Sequence, residues 1–186
     1  MIFFIADAHF CHTNIIKMCG RPFTDVNEMN ETLIANWNAV VSGSDEIYIL
    51  GDFLYKGSGD DAKKIANRLN GKKYLIKGNH EKYLTSGNFD TSVFEWIKDY
   101  YELSYRDARF ILFHYPIAQW AHFHRKSAHL HGHCHRNTSQ IPEVSAKFEL
   151  MGERAINVGV DLNNYFPVSA ESVYERAFRN WKKESG

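Results

Sequence analysis

Apolar runs and amphipathic stretches alternate through the first half of the chain. Ile2–Ala6 is a continuous apolar run, the mark of a strand buried on both faces. Ile47–Leu50 and Lys72–Lys77 read as the next two strands. Between them, Asn27–Val41 carries Met29, Leu33, Ile34, Trp37, Val40 and Val41 close to helical spacing, with Thr24 or Asp25 to start it and Gly43 to end it. A second helix is predicted over Asp60–Leu69, stopped by Asn70-Gly71, and a short one opens between Phe10 and Met18. This order predicts a layered α/β arrangement whose site lies on the loops at one sheet edge.

The second half is less regular. Trp96–Ser104 and Arg109–Phe113 predict a hairpin turning at Tyr105–Ala108. Ala128–His131 and Ala155–Val160 read as strands and Ser169–Trp181 as a helix, while residues 136–153 read as a loop or extended excursion. No linker, repeat or low-complexity segment interrupts the 186 residues, so 1–186 is expected to form a single domain. A chain of this length buries roughly 70% of its unfolded surface and needs no disulfide staple.

Polar residues of one chemical kind recur where the strands end. They are Asp7-Ala8-His9, Gly51-Asp52, Gly78-Asn79-His80-Glu81, Phe113-His114 and His131-Gly132-His133-Cys134-His135. A lone Gly-Asp is usually a turn, but five such clusters in one chain are not. In extended backbone, residues two apart point the same way, so Asp7 and His9 are expected to address one metal. Asp52 has two carboxylate oxygens and can bridge two cations.

Composition narrows the partners. Lys+Arg and Asp+Glu each total 22, which leaves no global basic field for nucleic acid or an anionic membrane. The 44% hydrophobic and 24% charged shares are those of an ordinary globular protein. Cys11, Cys19 and Cys134 have no framework spacing, and the N-terminal run lacks a basic segment and is too short for a membrane span, so a cytoplasmic protein is expected.

Taken together, the five clusters resemble the calcineurin-like metallophosphoesterases, whose pattern runs D-x-H, G-D, G-N-H-[DE], H, G-H-x-H in that order. The neighbourhoods Asp7–His12 and Arg21-Pro22-Phe23 resemble a compact bacterial or phage branch. The resemblance implies a four-layer sandwich of two mixed β-sheets flanked by helices. It implies one metal on Asp7, His9, Asp52 and His135 and a second on Asp52, Asn79, His114 and His133, with a bridging hydroxide as nucleophile. His80 is implied to stabilise the transition state or protonate the leaving oxygen. From its adjacency alone, Glu81 is expected to orient or charge His80. Imidazole, carboxylate and amide donors suit Mn, Fe, Co, Ni or Zn. The glycines before Asp52, Asn79 and His133 are expected to let the backbone turn tightly and to leave room for substrate.

The activity so implied is hydrolysis of a phosphomonoester or phosphodiester in a small molecule or nucleotide. A nuclease of the same superfamily and a non-catalytic scaffold on the same fold are the rival readings; balanced charge counts against the first, the complete ligand set against the second. His12, Asn14 and Arg21 follow the first motif and are candidate contacts to substrate phosphate, with capping, a supporting role or surface charge as the competing readings. Cys134 is expected to be a filler pointing away from its neighbours, and Cys11 and Cys19 to be bland. His131, Asn38 and Asn157–Asp161 are expected to buttress the site. The oligomeric state is left open.

Overall fold

The computed structural model describes residues 1–85, 89–136 and 151–181. Its first sheet holds β1 (Ile2–Ile5), β2 (Glu46–Leu50), β3 (Lys72–Ile76), β4 (Trp96–Lys98) and β9 (Val168–Ser169) in the order β4-β3-β2-β1-β9. Strands β1 to β4 are parallel and β9 is antiparallel to β1. The second sheet orders β5 (Tyr100–Tyr105), β6 (Ala108–Phe113), β7 (Ser127–His131) and β8 (Ala155–Asn157), with β5 antiparallel to β6 and the rest parallel. Both sheets are therefore mixed, as expected.

Alternation along each strand divides the core in two. Phe3, Ile5, Ile47, Ile49 and Leu75 face α1 (Thr13–Cys19), α2 (Val26–Val40) and α3 (Gly59–Ala66), where Met29, Leu33 and Trp37 pack. Phe4, Ala6, Tyr48, Leu50 and Ile76 face the second sheet, meeting Phe110, Leu112, Ala128, Leu130 and, on α4 (Ala170–Phe178), Val173 and Phe178. A continuous apolar run in β1 is thus what two cores require. Local signals set the helix ends. The Asp25 side chain accepts the amides of Asn27 and Glu28, and Ser58 and Asp61 form a reciprocal capping box. Among the described residues, no helix is long and apolar enough to cross a membrane.

Two expectations change. Trp96–Ser104 is not one strand: the chain pairs with β3 as far as Lys98, then crosses at Asp99 to pair with β6. An ion pair of 2.7 Å between Asp99 and Lys77 marks the crossing. Strand β8 ends at Asn157, and Val160–Leu162 is a 3-10 turn. The excursion expected over 136–153 lies, save for its ends, outside the described residues.

The outer face of β7 carries His129 and His131, both buried and stacked with ring centroids 5.3 Å apart. Burial pushes the His131 imidazole down to about 3. A base whose folded value lies below its unfolded one stabilises fully above about 6.5 and loses that contribution as pH falls toward the folded value. Urea unfolding of metal-stripped protein is therefore expected to weaken from pH 7 to pH 5. The His131→Phe variant should lose about 1.4 kcal/mol per pH unit of that slope; an unchanged slope would remove His131 as its source.

Candidate metal centre

Parallel pairing aligns the strand ends. Ile5 lies opposite Ile49 and Leu50 opposite Ile76, so the loops after β1, β2 and β3 leave one edge together. The second sheet brings its own parallel ends to the same place. The Gly132 amide donates to the His114 carbonyl at 3.0 Å, and an Ala6–Gly159 bridge stitches the loop after β8 to the end of β1.

At this seam the backbone is not extended. Asp7, His9, Asp52 and His133 sit at φ 57°, 50°, 54° and 69°. The two-residue alternation of extended backbone therefore does not explain how Asp7 and His9 converge; both are left-handed, with Ala8 between them, and so curl the loop and turn inward. Each such residue costs roughly 1–2 kcal/mol without a Cβ-free side chain, and strain of this kind collects at functional sites. Gly51 and Gly78 serve the packing of site residues rather than access for substrate. A Cβ on Gly51 would lie 2.3 Å from His114 Nδ1, and one on Gly78 2.4 Å from Asp52 Oδ1.

Asp52 is the hub. Its Oδ1 accepts the amides of Asn79 and His80, both at 3.0 Å. Its Oδ2 lies 3.4 Å from His9 Nε2, 3.7 Å from His114 Nε2 and 3.9 Å from His80 Nε2. On one side, Asn79 Oδ1 is 3.0 Å from both His114 Nε2 and His133 Nδ1. On the other, ligand atoms of Asp7, His9 and His135 lie within 4.8 Å of one another, as do those of Asp7, Asp52 and His114.

The polar atoms here are short of partners. Asp7 Oδ1 accepts the His133 amide at 3.0 Å, whereas Oδ2 and both ring nitrogens of His9 are buried without a hydrogen-bond partner among the described residues. Leaving such atoms unmet costs about 1–3 kcal/mol each, and more when charged. Burial pushes the Asp7 carboxyl up to about 7, opposed by the His135 charge and reinforced by Asp52. Burial likewise holds His9 far below an ordinary imidazole, with the charges of His135 and Arg21 adding to it. Imidazole nitrogens and carboxylate oxygens in one volume are the donor set that fits borderline divalent cations.

A second tier fixes this set. His135 Nδ1 bonds Asp161 Oδ2. Burial opposes charge on the ring, but hydrogen bonds to Asp161 and Cys19, with Asp7 nearby, raise it to about 10. Glu81 turns inward and accepts the amides of Phe53 at 2.9 Å and Gly78 at 2.6 Å, so its carboxylate braces the two loops instead of orienting the His80 ring. His114 Nδ1 bonds the Leu50 carbonyl at 2.8 Å, which leaves Nε2 for the centre.

Arg21 departs from expectation. Its side chain is fully buried: Nε lies 2.8 Å from Asp161 Oδ1, and Nη1 and Nη2 donate to the Ala8 and Asp7 carbonyls at 3.0 and 2.8 Å. The guanidinium is spent on the loop that carries Asp7 and His9, and none of it faces a substrate. Asn14 is exposed on α1 and does not reach the cavity. His12 does, stacked on Tyr55 at 3.6 Å. Asn38 ties α2 to the Arg68 and Asn70 backbone instead of the site, whereas Asp161 and Asn157 do support it, the latter through a 2.8 Å bond to the Cys134 carbonyl. Cys134 is buried.

The centre opens into a cavity of about 200 Å³ lined by His9, His12, Ile15, Met18, Cys19, Asp52, Asn79, His80, His133 and His135. Sequence reasoning missed Tyr55 and the α1 wall of Ile15, Met18 and Cys19. The i, i+3, i+4 spacing of that trio was the available signal. Cutting the second tier tests its weight. Arg21→Ala should destabilise the protein by about 3–5 kcal/mol, because it strands a buried carboxylate, and Arg21→Lys should recover less than half of the loss in urea unfolding. A near-neutral Arg21→Ala would contradict the bracing role.

Residues 1–153 match the family model of the calcineurin-like phosphoesterases. The chain is 36% identical over 174 residues to the uncharacterized protein MJ1445 of Methanocaldococcus jannaschii, covering 92% of this chain and 88% of that one. It also resembles the crystal structure of a protein of unknown function, AQ665 from Aquifex aeolicus, with a TM-score of 0.73 and 28% identity over 93% of this chain and 97% of that one. The chain belongs to the calcineurin-like phosphoesterase family.

Proposed function

We propose that this protein is a single-domain, cytoplasmic phosphoesterase that hydrolyses phosphate esters of small molecules or nucleotides at a pair of divalent ions. One ion is held by Asp7, His9, Asp52 and His135, the other by Asp52, Asn79, His114 and His133. The single observation that carries the reading is the position of Asp52 Oδ2, less than 4 Å from ring nitrogens of both His9 and His114. One carboxylate oxygen facing both histidine groups is what a shared ligand needs. Bound there, the ions would acidify a water for attack on phosphorus and neutralise the phosphoryl oxygens.

The chain's own contribution is arrangement and proton transfer. His80 stands at the rim of the group, its side chain one-third accessible, with Tyr55 edge-on at 4.9 Å. From that rim it can reach a phosphoryl or leaving-group oxygen, and imidazole is suited to protonating the latter. His12, held against Tyr55, lines the same mouth and is the remaining candidate contact to substrate phosphate. Among the described residues all three cysteines are free thiols, in keeping with a reducing compartment.

Metal-stripped protein should be inactive on p-nitrophenyl phosphate and recover with Mn, Fe, Co, Ni or Zn. Asp52→Asn and His80→Asn should each lower kcat/KM roughly 10²–10⁴-fold in a metal-defined assay, with circular dichroism unchanged. Unaltered kinetics in either variant would remove that residue from the mechanism.

A further inference from the structure

A second cavity lies behind His80. It has a volume of about 140 Å³ and is lined by Tyr55, Lys56, Gly57, His80, Lys82 and Tyr83. His80 is therefore the wall between this cavity and the one over the metal centre. The space has room for several waters and so for one phosphoryl group.

Two lysines line it, and no acidic residue is among the described residues that do. Neither Lys56 nor Lys82 sits in an ion pair with a carboxylate among the described residues. The acidic residue nearest in sequence, Glu81, is turned away, committed to the Phe53 and Gly78 amides. Lys56 is held at φ 55°, a left-handed conformation that a lysine adopts only at a cost, with its ammonium 5.3 Å from the centre of the Tyr55 ring. The His12 ring stacks on Tyr55 at 3.6 Å, so that face is already covered and is closed to a stacking base.

We propose that this cavity binds a second anionic group of the substrate, so that the ester hydrolysed carries a further phosphoryl group within a few bonds of the scissile one. A nucleoside diphosphate or a bisphosphorylated small molecule has that chemistry; an isolated monoester does not. The inference rests on the proposed function for the position of the scissile ester, and on its own geometry for the second anion.

The test is calorimetric titration of the Mn-loaded full chain with orthophosphate and with imidodiphosphate, a two-phosphoryl analogue that resists hydrolysis. Turnover of p-nitrophenyl phosphate is measured in parallel. Wild type should bind imidodiphosphate roughly tenfold or more tighter than orthophosphate, the gain expected from one added charge-assisted contact. Lys56→Gln and Lys82→Gln should each narrow that ratio and the double variant should erase it. Both lysines are exposed, so folding should be unaffected, as circular dichroism will verify. A ratio near one in wild type, or a ratio that survives in the double variant, overturns the second subsite. If such a result comes with normal turnover, the proposed function stands. A lysine-dependent ratio without turnover supports the subsite and overturns the hydrolase reading, and no binding of either anion overturns both.

Discussion

Buried negative charge needs a counter-charge, and that need governs the seam between the two sheets. Asp7, Asp52 and Asp161 are all nearly inaccessible to solvent and lie in one neighbourhood. Asp161 is taken care of: burial pushes its carboxyl up, but the His135 hydrogen bond and the Arg21 charge outweigh that and hold it below its usual range. Asp7 is not, and is driven toward neutrality at about 7. The fixed cation of the region, Arg21, is consumed by Asp161 and by two backbone carbonyls. What is left is an oxygen-rich and imidazole-rich volume that divalent ions would complete.

The fold supplies this volume by making strand ends coincide. Parallel pairing in the first sheet carries Asp7, Asp52 and Asn79 to one edge, and parallel pairing of β6 and β7 carries His114 and His133 to the corresponding edge of the second. Backbone bonds across the seam, from Ala6 to the Val158 carbonyl at 3.1 Å and from Val160 to the Ala6 carbonyl at 3.0 Å, hold the two edges in register. The site is therefore a property of both sheets. Perturbing either one moves half of the donors.

Much of this was legible in the sequence, for identifiable reasons. Apolar runs in β1 and β2 mark strands with core on both sides, and ordered clusters of Asp, Asn and His after strands mark the site without any coordinates. Conformation inside the loops was not legible. Asp7 and His9 converge through left-handed residues, which a rule built on extended backbone cannot foresee. Arg21 looks like a phosphate clamp because arginine suits phosphate, but the same planar fork also suits a carboxylate and carbonyls brought close by Asp161, 140 positions away in sequence, and here tertiary packing decides. The crossing at Asp99 escaped notice because both flanking segments are β-prone and only their partners differ.

The central claim is that one shared carboxylate joins two cation sites, and the direct measurement is metal stoichiometry by equilibrium dialysis with elemental analysis. Wild type should retain two divalent ions per chain. His135→Ala should retain one, and Asp52→Ala should weaken both sites together. Two ions still bound with unchanged affinity in Asp52→Ala, or no specific binding to wild type, would contradict the account.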